Sequence, residues 1–184
     1  VRQRATLTAK GLHPHLLVMS ATPIPRTLAL ILYGDLDLSV IDELPPGRQT
    51  VDTFLVGSSM RARIEAFVRK QAAEGHQTYI VCPLIDDTDD ASLTSVTAYA
   101  ESLAKDVFPD LCTACLHGRM KSSEKETIMD AFVQGEIDVL ISTTVVEVGV
   151  DNPNATLMVI ENAERFGLSQ LHQLRGRVGR GSAK

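Results

Sequence analysis

The sequence DVLIS at residues 138–142 is a short and almost continuous apolar run, typical of the segments that decide the fold of this chain. Three further runs of the same kind are Thr78–Cys82, Cys112–Leu116 and Thr156–Ile160. The strands of a parallel sheet have such nearly continuous apolar sequences because helices cover both faces of the sheet. Amphipathic stretches of helical length separate the runs, at about Ser58–Ala73, Thr94–Val107 and Ser123–Gly135. Ser123 and Glu126, three residues apart, predict a capping box at the start of the third stretch, and Gly135 is predicted to end it. The pattern predicts an α/β fold with a parallel sheet and helices on both faces.

A linker at residues 43–48 divides the predicted elements into two groups. Its sequence, ELPPGR, contains two prolines and a glycine, which interrupt both helical and strand periodicity. We therefore expect the end of one α/β unit at residues 1–47, with sequence missing upstream of it, and a nearly complete second unit at residues 48–184. The remaining predicted elements are strands at Leu16–Met19, Leu38–Ile41 and Val51–Val56, a helix from about Pro25 and a last helix at Gln170–Arg175.

Composition and charge exclude several classes of protein. The longest apolar run, near Thr27–Tyr33, is much shorter than the ~20 residues that cross a bilayer, so we expect no membrane association. Three cysteines favour a reducing compartment, and we expect a cytoplasmic location. A net charge of −5 argues against indiscriminate binding of nucleic acid. However, residues 1–34 and 165–184 contain cations and no acid, so anion contacts are expected from the ends of the chain and from isolated loops.

Two groups of residues have the composition of metal ligands, and we interpret both as structural. Cys112 and Cys115 form a C-x-x-C, but positions three apart on a strand point to opposite faces. The acidic stretch Asp86–Asp90 has four carboxylates without a rigid ligand spacing, which favours a solvated loop over a cation site.

The most informative run is QLRGRVGR at residues 173–180. Arg177 and Arg180 are three residues apart, so on a helix or a tight turn both guanidinium groups can point to one side. Gly176 and Gly179 let a backbone or a phosphate approach closely. Two guanidinium groups that point to one place suit a polyphosphate, and the alternatives are a generic basic patch or a disordered tail.

Two further runs follow predicted strands. The sequence STTVVEVGVD at residues 142–151 passes Thr143 and Thr144 and reaches a Gly149-x-Asp151 where open α/β sheets bind ligands. Its hydroxyls can hold phosphates and Asp151 can accept from a ribose or orient an arginine; the alternative is that these residues cap a helix and a turn. The sequence HGRM at residues 117–120 offers a glycine and a cation to a phosphate backbone.

Two motifs are absent from the sequence. It has no G-x-x-x-x-G-K-[ST], the loop that cradles the β- and γ-phosphates of a nucleotide. It also has no G-x-G-x-x-G, which counts against a dinucleotide oxidoreductase. We therefore expect that this chain alone does not hydrolyse ATP.

Taken together, these motifs resemble those of the superfamily 2 helicases. Ser20, Ala21 and Thr22 are similar to the Ser-Ala-Thr motif of that family, residues 144–151 to its fifth motif, and residues 173–180 to its Q-x-x-G-R-x-G-R motif. Three longer runs narrow the resemblance to one group of bacterial ATP-dependent DNA helicases: SATPIPRTLA at 20–29, IDELPPGR at 41–48 and ENAERFGLSQLHQ at 161–173. The resemblance covers essentially the whole chain.

The resemblance implies two RecA-like lobes with ATP in the cleft between them. This chain would be the end of the first lobe followed by the second lobe, and the phosphate loop and the Mg²⁺-binding carboxylates would lie upstream. By matching positions, Arg177 and Arg180 would approach the γ-phosphate, and Gln173, Gly149 and Asp151 would belong to the ATP site. The residues that would couple hydrolysis to lobe movement are Ser20, Ala21 and Thr22. The residues that would touch the DNA strand are His117, Gly118, Arg119, Thr143 and Thr144.

The activity implied by the resemblance is ATP-driven branch migration and regression of stalled replication forks in recombination and repair. The implied partners are ATP, Mg²⁺ and branched DNA such as replication forks and Holliday junctions, with the protein acting as a monomer. Two alternatives stay open on the sequence alone. One is the lobe of a translocase that couples transcription to repair, and the other is a lobe that binds nucleic acid without catalysis.

Overall fold

The structure, a computed structural model, describes residues 17, 19, 37, 39–43, 48, 50–83, 90–143 and 152–181, without the side chains of residues 90–95. The chain forms two compact units, Val1–Ser39 and Val40–Lys184. Every helix and strand given below belongs to the second unit. The predicted strand at Leu16–Met19 and the helix from Pro25 lie largely or wholly outside the described residues, and the domain boundary at residue 47 stays a prediction.

The second unit is built on a parallel sheet. Its strands are β1 (Gln77–Val81), β2 (Thr113–Leu116), β3 (Val139–Ser142) and β4 (Ala155–Ile160). Its helices are α1 (Arg61–Ala73), α2 (Asp90–Ser102), α3 (Ser122–Val133) and α4 (Leu168–Arg175). A 3-10 turn at Ser58–Met60 precedes α1, a π-helical turn at Leu103–Val107 continues α2, and a second 3-10 turn lies at Ala163–Arg165. The strand order is β2-β3-β1-β4, and each neighbouring pair is parallel.

The strands end level with one another. Ser142 is opposite both Leu116 of β2 and Val81 of β1, and Val81 is opposite Ile160 of β4. The residues that immediately follow the strands therefore share one edge of the sheet. We call this the carboxyl edge, and in spatial order it is formed by His117, Thr143, Cys82 and Glu161.

Alternate strand residues are buried in two separate helical layers. Tyr79, Leu140 and their neighbours pack with Met129 and Phe132 of α3 and with Leu174 of α4, a set we call the α3/α4 layer. The residues between them, including Ile80 and Ile141, pack with α1, α2 and the π-helical turn in the α1/α2 layer. The Tyr79 and Phe132 rings are 4.9 Å apart and tilted by 56°. The predicted α/β fold, a parallel sheet covered by helices on both faces, is confirmed.

The predicted strand at Val51–Val56 is wrong. Val51 packs against the α3/α4 layer, but residues 52–56 form no described strand, and Phe54 and Leu55 are 80% and 95% exposed. A run rich in apolar and β-branched residues suits a sheet, but a strand also needs a neighbour for its backbone hydrogen bonds. Ser39–Ile41 likewise form no strand.

The helix boundaries differ from the prediction by a few residues. The first three residues of the helix predicted at Ser58 form the 3-10 turn, and α3 begins at Ser122. The predicted capping box of Ser123 and Glu126 is therefore wrong; the Glu124 carboxylate accepts the Lys121 N–H at 3.1 Å instead. Gly135, predicted to end this helix, has φ +81°, a left-handed conformation that favours glycine. No helix in the described ranges is long and apolar enough to span a membrane.

A polar cluster lies at the β4 end of the carboxyl edge. Glu161 accepts a hydrogen bond from Arg61 Nη1 at 2.5 Å and another from the Tyr99 hydroxyl at 2.8 Å, and Arg61 Nη2 also donates to Tyr99. Burial, together with the Glu161 carboxylate, raises the pKa of the nearby Cys82 thiol to about 12. Burial and the same carboxylate raise the pKa of Tyr99. The cluster joins α1 and α2 to the end of β4.

The three cysteines should differ sharply in reactivity. At pH 8 we expect iodoacetamide to modify the exposed Cys112 in the folded chain and to leave the buried Cys82 unmodified, because the thiolate is the nucleophile. Cys115, half buried and with its pKa raised by burial, should react slowly. Mass spectrometry of tryptic peptides measures each site, urea supplies the unfolded control, and a C112S variant isolates the slower sites. Equal rates at Cys82 and Cys112 in the folded chain would contradict the buried placement of Cys82.

Candidate functional site

The last helix ends in a turn that carries two arginines. Helix α4 stops at Arg175, and residues 176–181 continue as what we call the arginine turn. Val178 in its centre is 2% exposed and packs in the α3/α4 layer. Arg177 and Arg180 lie on either side of Val178 and are half buried. The buried valine therefore fastens the turn to the core, with both guanidinium-bearing residues near the surface.

The carbonyl of Gly176 is the main polar anchor of the arginine turn. It accepts a hydrogen bond from Arg180 Nε at 3.0 Å and another from Arg48 Nη2 at 2.8 Å. Cationic donors stabilise the end of a helix, because the carbonyl groups there lack partners within the helix and carry a partial negative charge. Gly179 has φ +72°, the left-handed conformation that favours glycine and lets the chain turn back.

The end of the arginine turn meets the segment that precedes β4. A Cβ atom on Gly181 would lie 2.3 Å from the carbonyl oxygen of Pro153, so only glycine permits this approach of the two backbones. Pro153 is two residues beyond Asp151, which ends the run at residues 142–151. Gly149, Asp151 and Thr144 lie outside the described residues, as do Ser20, Ala21 and Thr22. Their predicted roles stay predictions.

Two buried side-chain amides, those of Asn152 and Gln77, fix the start of the segment that precedes β4. Asn152, 1% exposed, donates from Nδ2 to Gln77 Oε1 at 3.0 Å and accepts the Asn154 N–H on Oδ1 at 3.0 Å. Gln77 Nε2 donates in turn to the carbonyls of Phe132 and Ile137 at the end of α3. The pair thus ties the residue next to Asp151 to β1 and to the α3/α4 layer.

The other predicted contact residues lie at the carboxyl edge. The Thr143 N–H donates to the Leu116 carbonyl at 3.2 Å, which places Thr143 beside the start of the His117 turn. The His117 carbonyl accepts the Met120 N–H at 3.3 Å, and Lys125 Nζ donates to the Gly118 carbonyl at 2.6 Å. Gly118 and Arg119 are exposed at the tip of this turn. Four of the five predicted DNA-contacting residues therefore lie on two adjacent strand ends.

Three buried polar side-chain atoms at or next to this edge lack a hydrogen bond within the described part of the chain. They are Nδ1 of His117, Oγ of Ser142 and Oγ1 of Thr143. A buried polar group without a partner costs free energy, so such groups in native proteins call for an explanation. Their concentration next to the exposed Gly118 and Arg119 makes this edge a candidate binding surface.

The structure places the arginine turn apart from His117 and Thr143. The arginine turn packs against Pro153, which precedes the first residue of β4, whereas His117 and Thr143 follow the last residues of β2 and β3. Since all four strands are parallel, the two groups lie towards opposite edges of the sheet. Within the described residues, the two groups therefore do not line a common pocket.

Several residues that shape the site were missed by the sequence analysis. Arg48 was seen only as part of the linker, although it reaches Gly176, 128 residues later. Gln77 and Asn152 belong to no recognisable motif; the only available signal was that Gln77 directly precedes the apolar run Thr78–Cys82. Gln173 is exposed on the last turn of α4.

The described residues contain no group of three or more His, Cys, Asp or Glu side chains that could hold a metal ion. Cys112 is exposed ahead of β2, and Cys115 is half buried within β2 and packs against the α1/α2 layer. The acidic stretch at residues 86–90 lies outside the described residues, apart from the Asp90 backbone that begins α2.

Comparison with known proteins identifies the family. Residues 59–182 match the helicase conserved C-terminal domain. The ATP-dependent DNA helicase RecG of Synechocystis sp. is 54% identical over 182 residues, which is 99% of this chain and 22% of that protein. The RecG protein of Thermotoga maritima is 52% identical over 181 residues, which is 98% of this chain and 23% of that protein.

A solved structure supports the similarity to the two RecG sequences. The structure of RecG bound to a three-way DNA junction superposes with a TM-score of 0.72 and 52% identity over 89% of this chain and 21% of that one. The chain thus spans about a quarter of the length of the relatives it matches. Its sheet is that of a RecA-like helicase lobe. The chain belongs to the helicase conserved C-terminal domain family, and it is similar over nearly its full length to the RecG helicases.

Proposed function

We propose that the chain is the second RecA-like lobe of a bacterial ATP-dependent DNA helicase that acts on branched DNA. The arginine turn is the observation that carries the proposal, because it presents Arg177 and Arg180 from a backbone anchored at Gly176, Val178 and Gly181. The resemblance to RecG favours this function over a transcription-coupling translocase and over a lobe without catalysis. The relatives are bacterial, which supports a cytoplasmic location.

The nucleotide would meet this lobe at the arginine turn. Two guanidinium groups on an anchored turn suit the γ-phosphate, whose negative charge must be neutralised as it is transferred. Gln173 on the neighbouring helix end would contribute to the same site, together with Gly149 and Asp151. The phosphate loop and the Mg²⁺ ligands would come from another part of the whole protein, since this sequence has no G-x-x-x-x-G-K-[ST].

Movement would follow from the charge on the nucleotide. ATP held by a first lobe attracts the arginines of this lobe and closes the cleft, and loss of the γ-phosphate removes the attraction and lets the cleft reopen. Ser20, Ala21 and Thr22 would couple hydrolysis to this movement. An arginine turn that is fastened to the core by Val178 would transmit the motion to the whole sheet.

DNA would be held at the carboxyl edge. Arg119 would neutralise a phosphate, Gly118 would let the backbone approach, and the hydroxyls of Thr143 and Thr144 would donate to phosphate oxygens. The buried polar atoms of His117 and Thr143 would gain partners from the strand. If the two lobes bound the DNA alternately, a monomer would advance along one DNA strand. Pulling at a replication fork or a Holliday junction would then drive branch migration and fork regression in recombination and repair.

Removing one arginine should test the ATP contact. In the full-length protein that contains this chain, we expect Arg180→Ala to lower the DNA-stimulated ATPase turnover by at least about tenfold. A charged hydrogen bond contributes roughly 1.5 to 3 kcal/mol, and about 1.4 kcal/mol of activation free energy corresponds to a factor of ten. Steady-state phosphate release measures the effect, and fork regression should fall in parallel.

Arg175→Ala is the matched control. Arg175 lies five residues before Arg180 and is exposed, and its side chain contacts His172 on the same helix, so its removal should leave turnover within about twofold. The 184-residue chain alone, which lacks the phosphate loop, should show no ATPase. Wild-type turnover in the Arg180→Ala protein would reject the ATP contact.

A separate substitution should test the DNA contact. In the full-length protein, Arg119→Ala should weaken binding to a model fork and reduce the slope of log affinity against log salt by about one, because one phosphate contact is lost. Lys70→Ala, at the opposite end of α1 from the carboxyl edge, should leave affinity and slope unchanged. Fluorescence anisotropy across a salt series measures both. An unchanged slope in the Arg119→Ala protein would remove Arg119 from the DNA surface.

A further inference from the structure

The Gly176 carbonyl oxygen accepts hydrogen bonds from two arginines that are far apart from each other in the sequence. The Gly176 carbonyl accepts Arg180 Nε at 3.0 Å and Arg48 Nη2 at 2.8 Å. A carbonyl oxygen has two lone pairs, so these two donors complete its hydrogen bonding. Both donors are partly buried. Arg48 and Arg180 therefore meet at a single fixed atom.

The shared oxygen constrains the Arg180 side chain. A hydrogen bond from Nε to the backbone sets the direction of the planar guanidinium relative to the arginine turn. The Gly176 carbonyl lies at the end of α4, where backbone carbonyls lack partners within the helix and the last turn frays readily. A second cationic donor, Arg48, holds that carbonyl in place and is favoured by the partial negative charge of the helix end.

The backbone around Arg48 is held on the same side of the sheet. Val51, three residues later, packs in the α3/α4 layer, which also contains Val178 of the arginine turn. A Cβ atom on Gly176 would lie 3.7 Å from Arg48 Nη2, so the guanidinium is within van der Waals distance of the glycine. Arg48 thus reaches Gly176 from a segment that is itself anchored.

We propose that Arg48 is a positioning residue for ATP hydrolysis, which holds the Gly176 carbonyl and through it directs Arg180 towards the γ-phosphate. The inference rests on the proposed function, in which Arg180 contacts ATP. Arg48 itself does not touch the nucleotide. It acts by restricting the backbone to which Arg180 is bonded, so the last residue of the linker ELPPGR contributes to the geometry of the arginine turn.

The test is a double-mutant cycle in the full-length protein. Arg48→Ala should lower kcat of the DNA-stimulated ATPase by about tenfold, and KM for ATP should change less than kcat. Added to Arg180→Ala, it should have no further effect, because residues that act through one another are not additive. Arg48→Lys, which keeps a cationic donor, should restore most of the turnover. Arg175→Ala removes a cation from the same helix end without touching Gly176, and it should behave as wild type.

Hydrogen exchange provides a readout that does not depend on activity. In the Arg48→Ala protein, peptides that cover residues 173–181 should lose protection, while peptides that cover β1 and β3 should keep theirs. A uniform loss of protection across the sheet would show that Arg48 only stabilises the lobe and would overturn the proposal.

The kinetic outcomes separate the two proposals. If Arg180→Ala lowers turnover and Arg48→Ala does not, or if the two losses multiply, the positioning role is wrong and the ATP contact stands. If Arg180→Ala itself leaves turnover unchanged, the proposed ATP contact fails and the positioning role fails with it.

Discussion

Burial of the parallel sheet on both faces is the constraint on which the rest of this unit depends. Tyr79 packs in the α3/α4 layer and the adjacent Ile80 in the α1/α2 layer, and this alternation repeats along β3 and β4. A sheet covered in this way leaves the loops beyond the two ends of its strands accessible to ligands. Among the described residues, these loops include Gly118 and Arg119 at one end and the arginine turn towards the other.

The two edges have different chemistry. At the carboxyl edge, Gly118 and Arg119 are exposed beside buried polar atoms of His117 and Thr143 that have no hydrogen bond in the described part of the chain. Towards the other edge, the arginine turn is fastened by a buried valine, a shared carbonyl and a glycine packed on Pro153. In the proposed helicase, such a division would let the lobe contact nucleotide and DNA at the same time. The sheet between them provides the rigid connection.

Much of this arrangement was predictable from the sequence. The four continuous apolar runs predicted β1 to β4 to within one or two residues, because strands buried on both faces leave a clear pattern. Val51–Val56 has a comparable pattern and is not a strand, since pairing depends on a neighbour that composition does not reveal. The start of α3 was misplaced because its N-cap is Lys121, a residue type that the capping-box motif does not contain, although the Glu124 carboxylate accepts the Lys121 N–H. The contact of Arg48 with Gly176 joins residues 128 apart and has no local signal.

The most direct measurement is a structure of the full-length protein bound to a non-hydrolysable ATP analogue, Mg²⁺ and a three-way DNA junction. We expect the Arg177 and Arg180 guanidinium groups to lie within hydrogen-bond distance of the γ-phosphate, with the Gly176 carbonyl still accepting from Arg48. The DNA backbone should lie on the His117–Arg119 turn at the carboxyl edge. An arginine turn that faces solvent or DNA, with the γ-phosphate contacted only by other parts of the protein, would contradict the assignment of this lobe as the source of the arginines.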